Sequence, residues 1–72
     1  MKRENAVALV KELVCNNLIQ TNWLSIDRRK VDGYELRFKG NRELPDLDIF
    51  LQKRYLAMEK NKEKGFVIIF KP

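Results

Sequence analysis

Ser25 is the only serine in the chain, Cys15 is the only cysteine, and there is no histidine. A hydroxyl or thiol nucleophile needs a neighbouring base, most often an imidazole, so Ser-His and Cys-His chemistry is excluded. One cysteine also excludes an internal disulfide framework and every multi-cysteine zinc site. Asp46 and Asp48 are the nearest thing to a carboxylate pair. They stand two apart on an expected helix and do not face each other, so they read as favourable charge at a helix start. Glu59 and Glu63 would share a helix face but sit among lysines, which marks a solvated surface. Gly33, Gly40 and Gly65 are isolated and build no phosphate-cradling loop. No catalytic residue, metal ligand or cofactor site is assigned, and the expectation is a binding protein instead of an enzyme.

What the sequence does concentrate is positive charge. Fifteen Lys and Arg stand against ten Asp and Glu, a formal net charge of +5. Residues 28–42 hold Arg28, Arg29, Lys30, Arg37, Lys39 and Arg42 against Asp32 and Glu35. Four of those six cations are arginine, whose planar guanidinium grips phosphate bidentately and stacks on bases. A second group, Lys53, Arg54, Lys60, Lys62 and Lys64, is diluted by Glu59 and Glu63. Taken alone, +5 is what many soluble small domains carry, so a partner has to be argued from where the elements place these charges.

The length, 72 residues, fits one domain. Residues 4–19 repeat Ala6, Val7, Val10, Leu13, Val14 and Leu18 at helical spacing, and Asn16, Asn17 and Thr21 signal the end. Cys15 falls beside this stripe as a small packing residue. Residues 22–28 and 33–39 alternate apolar and polar side chains, and Asp32-Gly33 between them supplies the left-handed backbone of a hairpin turn. Pro45-Asp46 opens a second helix with Leu47, Phe50, Leu51, Tyr55 and Met58 as its buried stripe, closed by basic residues and Gly65. The final FVIIFKP reads as a strand. The expected fold is therefore α+β in two layers, order α-β-β-α-β, with a three-stranded, mainly antiparallel sheet and both helices on one face.

That layout leaves the other sheet face open. With Leu24, Ile26, Tyr34, Leu36, Phe38, Phe66, Ile68 and Phe70 turned toward the helices, the open face carries Trp23, Ser25, Asp27, Glu35, Arg37, Lys39, Val67, Ile69 and Lys71. An apolar patch of Trp23, Val67 and Ile69 rimmed by cations marks an interaction site. One partner that fits is single-stranded nucleic acid, DNA or RNA, with a base on Trp23 and phosphates on Arg28, Arg29, Lys30, Arg37, Lys39 and Lys71. The alternative is protein, either an acidic target or a second copy meeting Val67 and Ile69 or the edge of the last strand. No segment has the apolar length of a membrane span, neither helix suits a membrane surface, and the unstapled cysteine fits the cytoplasm.

Overall fold

The computed structural model describes residues 1–29, 33–40, 45–61 and 63–72. Among these described residues two helices and four strands follow in the order α1 (Arg3–Cys15), β1 (Leu24–Arg28), β2 (Tyr34–Lys39), α2 (Pro45–Lys53), β3 (Ala57–Asn61) and β4 (Phe66–Phe70). The α+β class is as expected; the fourth strand is not. The sheet runs β1-β2-β4-β3, and every neighbouring pair is antiparallel. The strand that follows α2 is thus β3, parallel to β2 with β4 between them. The C-terminal strand is central, so its edge is not available to a partner.

Ala6, Leu9 and Leu13 of α1 and Leu47 and Leu51 of α2 meet Leu36, Phe38, Val67 and Ile69 in the core. Both helices therefore cover the same sheet face. Full burial of a Leu, Val or Ile side chain stabilises by about 1.5–3 kcal/mol, and this small core depends on each one. No helix among the described residues is long and apolar enough to cross a membrane. Cys15, expected to pack beside the α1 stripe, is exposed because the helix turns it away from the sheet.

The β1–β2 hairpin forms in the register Leu24↔Phe38 through Arg28↔Tyr34. Gly33 has φ +68°, and a Cβ there would collide with the Met1 backbone, so both conformation and space require glycine. Its turn partner Asp32 lies outside the described residues, as do Lys30, Asn41, Arg42 and Lys62.

The helix expected to run on toward Gly65 stops at Lys53. Tyr55 N–H donates to the Gln52 carbonyl at 3.1 Å and Leu56 N–H to the Leu51 carbonyl at 2.9 Å, the two bonds of a Schellman cap. This cap needs a left-handed residue, and Tyr55 supplies it at φ +58°. Tyr55 and Met58 therefore leave the helical stripe, while Glu59 and Lys60 belong to β3. Asn17 caps α1 in the same way at φ +54°, a position asparagine tolerates. Tyrosine does not, and at 83% exposure its ring gives little packing in return. Tyr55→Gly is expected to stabilise the fold by about 0.5–1 kcal/mol, less than the full left-handed penalty because glycine also frees the unfolded chain. Thermal unfolding would show it as a rise of several degrees in Tm.

Candidate binding face

The open sheet face forms a grid whose rows follow the strand register. Outward positions are Ser25 and Asp27 on β1, Glu35, Arg37 and Lys39 on β2, Phe66, Ile68 and Phe70 on β4, and Ala57, Glu59 and Asn61 on β3. The last strand is thus rotated by one residue from expectation. Val67 and Ile69 are fully buried under the helices and cannot serve as an interface. They pair with Phe38 and Leu36 across β2, whose inward set is fixed, so β4 must turn the same way.

The consequence is an aromatic face. Trp23, 39% exposed, lies against Phe66 with ring centroids 5.0 Å apart and planes inclined at 39°. Thr21 fixes its backbone: its hydroxyl accepts from Trp23 N–H at 3.1 Å and donates to the Trp23 carbonyl at 2.8 Å. At the other end of β4 the Arg29 guanidinium sits 4.1 Å over the Phe70 ring. Half-buried Ile68 lies between them, with Arg37 on one side and Glu59 on the other.

Glu35 organises the cations. It is buried at 7% exposure although it belongs to the open face. Its carboxylate accepts from Arg37 Nε at 2.6 Å and pairs with Arg29 at 3.6 Å. Asp27 adds a second carboxylate 3.7 Å from Arg37 and itself accepts from the Ser25 hydroxyl at 2.6 Å. The hydrogen bond that Arg37 donates to Glu35, outweighing desolvation, raises Arg37 above its ordinary guanidinium pKa. Arg37 is therefore always charged, and most of that charge is spent on its neighbours. Among the described residues Lys39 pairs with no carboxylate.

Of the cations assigned from the sequence, Arg29, Arg37 and Lys39 share this face with Trp23. Arg28 has the inward parity of Tyr34 and reaches solvent at the hairpin end. Lys71 is on the opposite side, lining a groove between α1 and the α2–β3 turn with Asn5, Glu12 and Arg54. Phe66, Ile68 and Phe70 were the residues missed. An all-apolar strand carries no alternation to orient it, so nothing within FVIIF marked them. Among the described residues, no three His, Cys, Asp or Glu side chains converge where a metal ion could sit. No protein-family model, curated protein or solved structure matches the chain.

Proposed function

We propose that this chain is a non-enzymatic module that binds single-stranded nucleic acid across its open sheet face. The observation that supports it is the presence of three rings, Trp23, Phe66 and Phe70, on one half-exposed surface beside Arg29, Arg37 and Lys39. Every base has a π face, so such a surface holds splayed bases with little regard to identity. The Arg29 guanidinium, already stacked on Phe70, presents its other plane to a further base. Double-stranded nucleic acid keeps its bases stacked inside and gains nothing from these rings. The exposed, unpaired Cys15 suits a reducing compartment, and the cytoplasm is the proposed location.

The carboxylates make the reading sharper. With Arg37 engaged by Glu35 and Asp27, and Arg29 also paired with Glu35, the face has charge to neutralise about one phosphate, through Lys39, giving a log–log salt slope near −0.7 for a single strand. Trp23 fluorescence titrated with short mixed-sequence oligonucleotides at several salt concentrations tests this. Quenching by single strands with that shallow slope supports the proposal. Equal binding of duplexes, or no quenching at low salt, overturns it and moves the face to a protein partner, which Asp27 and Glu59 would tolerate better than phosphate does.

A further inference from the structure

We infer that the outer edge of β1, which no other strand of the described residues covers, is a self-complementary seam through which two copies of this chain join their sheets. The hydrogen-bond phase of β1 is set by two bonds to β2: Lys39 N–H to the Trp23 carbonyl at 3.3 Å, and Arg29 N–H to the Gly33 carbonyl at 2.9 Å. Odd-numbered residues of β1 therefore point their backbone groups at β2. Leu24, Ile26 and Arg28 point theirs outward, as antiparallel pairing alternates.

A two-fold axis at Ile26 gives each of these groups a partner. Ile26 then faces the partner's Ile26, and Leu24 faces the partner's Arg28, so all five residues of β1 are paired. On the open face, Ser25 meets the partner's Asp27 and Trp23 meets the partner's Arg29. Hydroxyl faces carboxylate and indole faces guanidinium, with no like charges opposed, which is what an isologous contact requires. An axis at Asp27 would instead oppose two carboxylates.

The helix above the seam is apolar on the matching side from its second turn onward. Asn5, Ala8 and Glu12 form the flank of α1 that faces Arg54 and Leu56 at the far side of the sheet. Val7, Val10 and Val14 share the opposite flank with Arg3 of the first turn, toward β1, where Leu24 and Ile26 are only half-buried. Val14 is 54% exposed. A second copy would cover this stripe with its own, in the same operation that completes the strand ladder. The joined sheets would have eight strands, with both aromatic faces on one side.

Sedimentation over a wide concentration range, read beside amide hydrogen exchange of the unmodified chain, tests the seam. The expected result is a dimer in which the Leu24, Ile26 and Arg28 amides become protected as concentration rises, while Ser25 and Asp27 stay protected throughout. Val14→Lys and Arg28→Pro should each weaken dimerisation at least tenfold with the fold intact, since Val14 is outside the core and the Arg28 N–H points away from β2. Ile49→Lys, on the exposed side of α2, should change nothing. A monomer at every concentration overturns the inference, as does a dimer that survives either seam variant or leaves those three amides unprotected. A dimer broken by Ile68→Asp instead would place the second copy on the sheet face.

Discussion

Val67→Asp is expected to unfold the protein, while Ile68→Asp, one residue along the same strand, leaves it folded. Val67 is fully buried against Phe38 and the helices, and its cross-strand neighbour Lys60 on the edge strand β3 is exposed, so its ammonium would have to leave water to reach a carboxylate at 67. The substitution removes a buried side chain and forces either a bare charge or an unpaired acid into the core, a loss above about 4 kcal/mol. At roughly 0.05–0.15 kcal/mol per residue, a chain of this length has about 4–11 kcal/mol in total. Most of that is gone. Ile68 faces outward, so an aspartate there keeps most of its water; Arg37 on one side and Glu59 on the other largely offset each other, and the cost is about 1–2 kcal/mol, short of unfolding the chain. Far-UV circular dichroism with urea unfolding would separate the two variants at once. The reverse outcome, Val67→Asp folded and Ile68→Asp unfolded, would mean that β4 has the opposite register and that the aromatic face belongs to the core.

That pair of residues also marks where the sequence stops being legible. β1 and β2 alternate apolar with charged side chains, so their faces and their hairpin can be read directly, and with them Trp23, Arg29, Arg37 and Lys39. β4 is apolar at all five positions. A strand with two apolar faces is oriented by its neighbours, here β2 and β3, and β3 itself was hidden. The stop before it has no glycine: Tyr55 takes the left-handed position, so Leu51, Tyr55 and Met58 keep a helical spacing past the true helix end. One unsignalled cap thus concealed a strand, and the concealed strand left the last one without a reference. The same slip hid two of the three rings. The inward preference of large aromatics then favoured the wrong face, because Phe66 and Phe70 are kept outside by Trp23 and Arg29 and not by any polarity of their own.

Removing rings should therefore weaken nucleic-acid binding more than removing charge. Stacking of a base on an aromatic side chain is worth about 1–3 kcal/mol, so losing two rings corresponds to at least about 30-fold in affinity. Trp23→Ala combined with Phe70→Ala is expected to reach that figure, since Trp23 holds one base directly and Phe70, at the other end of β4, backs the Arg29 guanidinium that holds another. Neither belongs to the buried core, which keeps the fold intact. Arg37→Gln is the contrasting variant. Its guanidinium is already matched by Glu35 and Asp27, and deleting it releases a carboxylate as well as a cation, so the expected loss is about threefold or less. Anisotropy of a labelled single-stranded oligonucleotide reads both variants without relying on the tryptophan. If Arg37→Gln abolishes binding while the double ring variant binds normally, the contact is electrostatic and the rings are bystanders. The carboxylates of the face argue against that outcome, because a surface built to attract phosphate by charge alone gains nothing from a buried glutamate at its centre.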